Sequence, residues 1–368
     1  MPIKCNGDYV RCNQVYDPRG RDMAESLGGG RMIGPCKPVD GGWVLSGPAA
    51  QRLFDKSAIG KPMPENQLFL QASEMLFCAR HRHLQLEDNW LENELSSNVE
   101  ILHETAAMEA LRVPGEKIVL SSNVVEISPE SIVSNGTWAL RWERTLKVKN
   151  DLPTAEVIWV REFEPIDWPS LYEWAAEVNA IGRIAEVLIV DEEMGVTTYR
   201  VTPENPRGAL KPIDESNLTK LDGSLLGNKL DGAFIPSKIE LPEQIGSPIP
   251  EGTWIDEDEV RIFENAPDDE GSIGILRDVL SRKLLPRSGF KYGTKWRLYE
   301  LSVGEEHAPW LLQPEWLAPR DWAQACLSAR LANGVHKTWL CGFNNEGIWC
   351  YIAIHRPPPE ARWSGFRH

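Results

Sequence analysis

The chain has 368 residues, of which 42% are hydrophobic and 25% charged, so it can bury sizeable cores and its length favours two to four domains. It contains 39 Lys and Arg against 54 Asp and Glu, a formal net charge of −15 at pH 7. That balance argues against a general nucleic-acid binder, which is basic overall, but leaves room for a nuclease with a local basic patch.

The sequence also argues against a membrane protein and a secreted protein. It has no apolar run of about 18 residues or more, and its N-terminus lacks the apolar core of a signal peptide, so we expect a cytoplasmic protein. The seven cysteines include no Cys-x-x-Cys pair, which predicts reduced thiols. Cys78, His81 and His83 match no standard zinc spacing, and we expect no metal and no cofactor.

The first part of the chain predicts an irregular segment followed by a small domain. Residues 1–33 are rich in Gly, Asp, Asn and Arg and lack periodicity. Residues 34–110 predict a small, mostly helical or mixed domain, with a short strand over 41–45 and a short helix from Pro48. A second helix is expected over 68–80, where apolar residues recur at helical spacing.

Residues 111–205 predict a hairpin, a helix and a second hairpin. Strands are expected over 138–148, 155–160, 185–190 and 196–201, and a helix over 168–181 that ends at Gly182. Residues 206–269 predict a further, diverged small domain that is rich in turns. The acidic run over 251–270 is expected to be a solvated loop or linker.

Residues 270–368 repeat the plan of 111–205. The expected elements are a helix over 272–285, strands over 295–302 and 307–312, a helix over 321–333 ended by Gly334, and strands over 337–343 and 348–354. An ungapped alignment of 178–195 with 330–347 matches Ala180 with Ala332, Gly182 with Gly334, Leu188 with Leu340 and Gly195 with Gly347. The predicted fold class is α+β with duplicated units, each a small domain followed by a mixed β-sheet domain.

The two copies differ in the residues that can do chemistry. In the alignments Tyr299 faces Trp142, His307 faces Glu156 and Lys337 faces Ala185, so a Tyr, a His and a Lys occur in the second copy alone. Cleavage of RNA by its own 2′-hydroxyl needs a base, an acid and a cation beside the charged phosphorane. Histidine titrates near neutrality and suits the acid, while lysine supplies a compact charge. The set is typical of a metal-independent ribonuclease.

A basic run surrounds the candidate base. The window 281–299 holds six Lys and Arg and no acidic residue, within a chain whose net charge is −15. Period-2 alternation places Lys295, Arg297 and Tyr299 on one face of a strand, opposite Trp296 and Leu298. We therefore expect Lys291, Lys295 and Arg297 to contact RNA phosphates.

These segments resemble the catalytic domain of the archaeal tRNA-splicing endonucleases. The resemblance lies in Ser288-Gly-Phe-Lys-Tyr-Gly-Thr-Lys-Trp-Arg-Leu-Tyr-Glu, Glu306-His-Ala-Pro-Trp-Leu-Leu and Val335-His-Lys-Thr-Trp-Leu. Leu53-Phe-Asp-Lys-Ser-Ala-Ile-Gly-Lys-Pro is similar to the small N-terminal domain of that family. The resemblance implies that Tyr299 is the general base, His307 the general acid and Lys337 the cation of an RNA-cleaving lyase.

The resemblance also implies a substrate and an assembly. The family excises introns from precursor tRNA at bulge-helix-bulge junctions and leaves 2′,3′-cyclic phosphate and 5′-hydroxyl ends. Arg330 and Arg356 fit the two arginines that clamp a bulged base. A degenerate repeat followed by a repeat that keeps the Tyr, His and Lys set resembles the tandem-repeat type that works as a homodimer. Its acidic assembly loop corresponds to Glu162, Glu164 and Asp167, and the run 256–259 is a rival.

Two other functions are open at this point. The chain could be a non-catalytic structural or RNA-binding subunit, in which case the Tyr, His and Lys set is accidental. It could also be a metal-dependent nuclease, although no paired carboxylates followed by a lysine lie near the basic run.

Overall fold

The structure is a computed structural model that describes residues 32–267 and 271–362. The predicted irregular segment over 1–33 therefore lies almost wholly outside the described residues, as do residues 268–270 of the acidic run. Among the described residues, no helix has the length and apolar character needed to cross a membrane. Cys36, Cys78, Cys326, Cys341 and Cys350 are free thiols, in agreement with the sequence.

The described residues form seventeen strands and ten α-helices. The strands are β1 (Lys37–Val39), β2 (Gly42–Ser46), β3 (Lys61–Met63), β4 (Gln67–Leu70), β5 (Lys117–Leu120), β6 (Ala139–Trp142), β7 (Ala155–Arg161), β8 (Ile184–Val190), β9 (Val196–Glu204), β10 (Ala233–Pro236), β11 (Ser247–Ile249), β12 (Gly252–Ile255), β13 (Leu285–Ser288), β14 (Trp296–Tyr299), β15 (Trp310–Pro314), β16 (Thr338–Asn345) and β17 (Ile348–His355). The helices are α1 (Pro48–Ser57), α2 (Ala72–His81), α3 (Trp90–Ser97), α4 (Ile101–Arg112), α5 (Val124–Ile127), α6 (Trp168–Ala180), α7 (Glu215–Thr219), α8 (Glu257–Phe263), α9 (Ser272–Ser281) and α10 (Trp322–Gly334).

A ten-stranded sheet runs through the molecule in the order β13-β14-β15-β16-β17-β9-β8-β7-β6-β5. From either outer edge inward, the pairings are antiparallel, antiparallel, parallel and antiparallel. The parallel step is crossed by α10 in one half and by α6 in the other, as a parallel connection requires. At the centre β17 pairs antiparallel with β9. The structure is thus a mixed α/β fold whose two half-sheets have the same pairing scheme.

Helices cover both faces of this sheet. The packing of α6 and α10 on one face buries Trp168, Ala175, Trp322 and Ala329. On the other face α4 packs against β7, β8 and β9, and α9 packs against β13 and β16. Alternate residues of the central strands belong to these different cores, as the period of a strand requires.

The first small domain is mixed rather than mostly helical. Strands β1, β2, β4 and β3 form a four-stranded antiparallel sheet against which α1 and α2 pack. The helix expected over 68–80 begins only at Ala72, because Gln67–Leu70 is strand β4. Gln71 ends the strand and opens α2 through a capping box with Glu74.

A second small domain has the same local construction. Gly60 N–H donates to Glu74 Oε1 at 2.7 Å, and Gly246 N–H donates to Glu259 Oε1 at 2.7 Å. In both places the glycine has a positive φ and precedes a short edge strand, and the glutamate lies in a capping box at the start of a helix. The two segments also have similar sequences, which are Ile59-Gly-Lys-Pro-Met-Pro-Glu and Ile245-Gly-Ser-Pro-Ile-Pro-Glu.

The expectation that the acidic run is a solvated linker is wrong for its central part. Residues 252–263 form β12 and α8, and Asp258 and Glu259 are buried. The carboxylates are used locally, because Asp256 caps α8 and Glu259 accepts the Asp256 and Gly246 N–H groups. An acidic run with an N-cap residue three positions before a glutamate indicates a helix start.

We expect Glu259→Gln to weaken the pH dependence of stability. Burial and the charge of Asp256 raise the pKa of Glu259 from its ordinary value of 4.5 to about 7. The resulting stabilisation, up to about 3 kcal/mol, is fully present below the unfolded pKa and is lost as pH rises through 7. The free energy of unfolding, measured in urea between pH 4.5 and 8, should fall less with pH in the variant.

The matched control is Glu257→Gln on the exposed face of the same helix. It should reproduce the wild-type pH profile. An unchanged profile for Glu259→Gln would contradict the assignment of this pH dependence to Glu259.

Candidate active site

The three residues proposed for catalysis lie at one edge of the second half-sheet. Tyr299 is the last residue of β14, His307 lies three residues before β15, and Lys337 immediately precedes β16. Leu298 pairs with Trp310, which pairs with Thr338, so these three strand ends are neighbours. The Lys337 ammonium donates to the Ala308 carbonyl, directly after His307. The sheet therefore brings together residues that are far apart in the chain.

The strand β14 has the predicted alternation. Trp296 and Leu298 are buried, while Arg297 and Tyr299 are half-buried on the opposite face. The Arg297 guanidinium lies 5.6 Å from the centroid of the Tyr299 ring, and its Nε donates to the Ser288 carbonyl at 2.9 Å. A fixed positive charge thus lies beside the candidate base.

The candidate cation is partly withdrawn from water. Lys337 is half-buried, and its Nζ lies 5.8 Å from the centroid of the Tyr292 ring. Burial, together with repulsion from Arg297, lowers the pKa of Lys337. His307 is exposed on the neighbouring loop, where a substrate can reach it. The edge therefore offers a phenol, an imidazole and two cations to a phosphodiester.

Several cations of the basic run over 281–299 already bind other groups of the protein, so they differ in how readily they can contact RNA phosphates. Lys295 forms an ion pair with Asp258 of α8 and lies 5.2 Å over the Trp296 ring. Arg287 donates to the Gln244 and Glu243 carbonyls. Arg282, which directly follows α9, forms an ion pair with Asp278 of that helix. Lys291 is exposed on the turn after β13.

The two predicted base-clamping arginines lie near the centre of the sheet. Arg330 on α10 is exposed, and its Nε donates to the hydroxyl of Tyr199 on β9 at 2.9 Å. Arg356 is exposed directly after β17. Extending the strand register by one or two residues places Arg356 opposite Tyr199 and Lys337. Both arginines thus lie on the side of the site that faces the first half-sheet.

The predicted assembly loop is built from carboxylates with local partners. Glu162 Oε1 accepts the Glu192 N–H at 3.0 Å, and Glu164 Oε2 accepts the Arg161 N–H at 3.0 Å. Asp167 caps α6 by accepting the N–H of Ser170. In the rival run, Asp256 caps α8 and Asp258 binds Lys295. These bonds give each loop a fixed shape and leave its role in assembly a prediction.

The strand register corrects the alignment of the two halves. Asp167 and Asp321 cap α6 and α10, and from these caps the halves run in step to Ile184 and Thr338, which open the parallel strands. Lys337 therefore corresponds to Arg183 rather than to Ala185. The ungapped alignment paired two helix-ending glycines, but Gly182 corresponds to His336, and both have a positive φ.

The same register changes what occupies the site in the first half. Tyr299 corresponds to Trp142, as aligned, because each lies opposite the first residue of the outermost strand. Glu156 corresponds to Leu311 rather than to His307. A cation therefore persists in the first half, but Arg183 is bound to the buried Glu156 at 2.7 Å. Sequence reasoning missed Arg183 as the counterpart of Lys337, which an alignment shifted by two residues would have found.

Comparison with known proteins gives the class of the second half-sheet. Residues 272–348 match the family described as tRNA intron endonuclease, catalytic C-terminal domain. The match shows that this segment is similar to the catalytic domain of an endonuclease. Tyr299, His307 and Lys337 all fall inside the matched segment.

Two archaeal relatives agree with this match at modest identity. A tRNA-splicing endonuclease of Thermoplasma volcanium is 27% identical over 206 residues, which cover 56% of this chain and 64% of the relative. A tRNA-splicing endonuclease of Picrophilus torridus is 25% identical over 170 residues, which cover 46% of this chain and 55% of the relative. The chain thus spans less than two thirds of the length of either relative.

We expect the two lysines of the basic run to contribute unequally to RNA binding. Lys291→Ala should weaken binding of an intron-containing RNA and reduce the salt dependence of log Kd by about one phosphate contact. Lys295→Ala should have a smaller effect, because Asp258 already neutralises Lys295. Asp258→Asn should strengthen binding by freeing that ammonium. Filter binding at several salt concentrations measures all three, and equal losses for the two lysine variants would contradict the role of the ion pair.

Proposed function

We propose that the protein is a metal-independent endoribonuclease that excises introns from precursor tRNA at bulge-helix-bulge junctions. The observation that carries the proposal is the meeting of Tyr299, His307 and Lys337 at one sheet edge, inside the segment that matches the tRNA intron endonuclease domain. The names of the two archaeal relatives support the substrate class. The enzyme would act in the cytoplasm, where precursor tRNA is its macromolecular partner.

The proposed reaction is an internal transfer at one phosphate. Tyr299 accepts or relays the proton of the 2′-hydroxyl, whose oxygen forms a bond to phosphorus. The bond from phosphorus to the 5′-oxygen breaks, and His307 protonates that leaving oxygen. The products are a 2′,3′-cyclic phosphate and a 5′-hydroxyl.

Fixed positive charges stabilise both ends of this step. Lys337 lies beside the loop that carries His307, where it can stabilise the charge that develops on the phosphorane oxygens. The Arg297 guanidinium lies 5.6 Å from the centroid of the Tyr299 ring, where its charge can meet a phosphate oxygen beside the attacking 2′-hydroxyl. Both cations are held by protein contacts before substrate arrives, so little reorganisation is needed during the reaction.

The assembly we propose is a homodimer of duplicated chains. The equal pairing schemes of the two half-sheets, and the glycine–glutamate contact that the two small domains share, support a tandem repeat with one catalytic and one structural copy. In such a dimer, Arg330 and Arg356 would clamp a bulged base, and Glu162, Glu164 and Asp167 would form the assembly loop. Recognition would depend on RNA shape and splayed bases, as is usual for RNA.

The alternative is a non-catalytic structural or RNA-binding subunit of a splicing endonuclease. It has the same domain content, and the partial coverage of both relatives is compatible with it. The two functions differ in whether the purified chain alone produces cyclic-phosphate ends.

We expect His307→Ala, Lys337→Ala and Tyr299→Phe each to lower the single-turnover cleavage rate about 10²- to 10⁴-fold, the usual contribution of a positioned acid, base or charge. The substrate is an intron-bearing precursor tRNA in EDTA, and the products are identified by their 2′,3′-cyclic phosphate ends. RNA affinity should change much less, because these groups act mainly in the transition state.

The matched control is His83→Asn, an exposed histidine of the first small domain whose positive φ suits asparagine. It should cleave at the wild-type rate. Undiminished cleavage by His307→Ala would overturn the proposed function, and so would a wild-type chain that yields no cyclic-phosphate ends.

We expect neutralisation of the assembly loop to dissociate the dimer. Glu162→Gln, Glu164→Gln and Asp167→Asn remove charge while keeping hydrogen-bond acceptors, and asparagine caps a helix about as well as aspartate. The solution mass should fall from twice 41.5 kDa towards 41.5 kDa. A companion variant, Glu257→Gln with Asp258→Asn, tests the rival run. A dimer that survives the first variant and dissociates in the second would assign assembly to the rival run.

A further inference from the structure

One large apolar side chain on the turn between β13 and β14 is left in water. Phe290 is 87% exposed, although a phenyl ring gains stability when it is buried. It opens a single 3₁₀ turn, Phe290–Tyr292, between β13 and β14. The alternation of the flanking strands and the packing of the core do not require an aromatic residue at this position.

The turn that carries Phe290 is held in one conformation. Its backbone bonds run from Gly289 N–H to the Lys295 carbonyl at 3.0 Å and from Tyr292 N–H to the Gly289 carbonyl at 2.8 Å. A Cβ on Gly289 would lie 2.3 Å from Thr294 Oγ1, and Gly293 has a φ of +68°. The two glycines permit a tight turn that fixes the direction of the residues between them.

One residue of the same turn, Tyr292, lies close to Lys337, the lysine proposed for catalysis. The Tyr292 ring lies 5.8 Å from Lys337 Nζ, and Phe290 is two residues from Tyr292. The exposed Lys291 lies between them in sequence. The Tyr292 ring therefore links the turn that carries the exposed Phe290 ring and the Lys291 ammonium to the group proposed to meet the scissile phosphate, from the end of β14 opposite to Tyr299.

We propose that Phe290 is a specificity-determining residue that stacks on an unpaired base of the RNA next to the cleaved phosphodiester. Single-stranded RNA is bound by aromatic rings that stack on bases, combined with cations that meet the phosphates. Phe290 supplies the ring and Lys291 the charge. The ring faces solvent before RNA binds, so stacking needs no rearrangement of the turn. This inference rests on the proposed function.

The test is a cycle that combines a protein change with a substrate change. Phe290→Ala and Phe290→Trp are compared with wild type on precursor tRNA, and on the same RNA with an abasic residue at each unpaired position of the bulge in turn. Affinity is measured separately in the His307→Ala background, where binding is read without cleavage. Leu230→Ala is the control, since Leu230 is an apolar residue that is 77% exposed and lies outside the proposed site and the proposed assembly loop.

Stacking predicts a specific pattern. Phe290→Ala should raise KM and Kd about tenfold with little change in kcat, and Phe290→Trp should keep wild-type affinity. One abasic position should weaken wild type by a similar factor and Phe290→Ala no further. Leu230→Ala should bind like wild type, and every variant should keep the wild-type solution mass.

Other results overturn the inference. An unchanged KM for Phe290→Ala, or losses that simply multiply at every abasic position, would show that the ring contacts no base. A fall in solution mass with normal RNA affinity would assign Phe290 to the contact between two copies of the chain. The proposed function fails separately, through a wild-type chain that does not cleave.

Discussion

The pairing of β17 with β9 is the contact on which the rest of the structure depends. Five residue pairs, from Tyr351 opposite Glu204 to His355 opposite Arg200, join two five-stranded half-sheets into one sheet. An unpaired β17 would be an exposed edge strand, which invites association with other chains. Because the strands are paired, α6 and α10 share a single core on one face, and the surroundings of Arg330 include the Tyr199 hydroxyl from the other half.

The two half-sheets differ in the charged side chains that they bury, a difference that the net charge does not show. In the second half-sheet Leu298 and Leu340 are fully buried, and the corresponding positions of the first half hold Arg141 and Glu186. These two groups are joined by hydrogen bonds of 2.7 and 3.0 Å, and Arg141 also binds Glu116 at 2.7 Å. Buried ion pairs of this kind are close to neutral for stability when every partner is present. Carboxylates of the first half are therefore neutralised inside the sheet, whereas among the described residues no carboxylate forms an ion pair with Arg297 or Lys337 beside Tyr299.

The sequence was sufficient for the elements that carry a clear period. The helices over 168–180 and 322–334, and the hairpins that follow them, were predicted within a few residues, because their strands are rich in β-branched residues and their turns contain glycine. The grouping of Tyr299, His307 and Lys337 was predicted from the comparison of the two copies and then from the family resemblance, and the register places their backbones at neighbouring strand ends. Their catalytic roles stay a prediction.

The elements that sequence reasoning missed lack a local signal. Helix α4 is buried on nearly every side from Thr105 to Arg112, so it has no amphipathic stripe to detect. Strands β3 and β11 contain proline and exist only because a partner strand lies beside them. The ion pair between Lys295 and Asp258 joins residues of two different domains, and no spacing within one segment predicts it.

The antiparallel pairing of β17 with β9 also sets the directions in which the corresponding strand ends of the two half-sheets point. Strand β16 begins at the edge that carries Tyr299, His307 and Lys337, and the reversal at β17 and β9 makes β8 begin at the opposite edge. Tyr299 and its counterpart Trp142 thus face opposite directions, with seven strand spacings, roughly 34 Å, between their strands. One chain presents the proposed catalytic groups on one side of the sheet. Under the proposed function, an RNA with two cleavage sites would be cut either by two chains at once or by one chain that releases it and binds again.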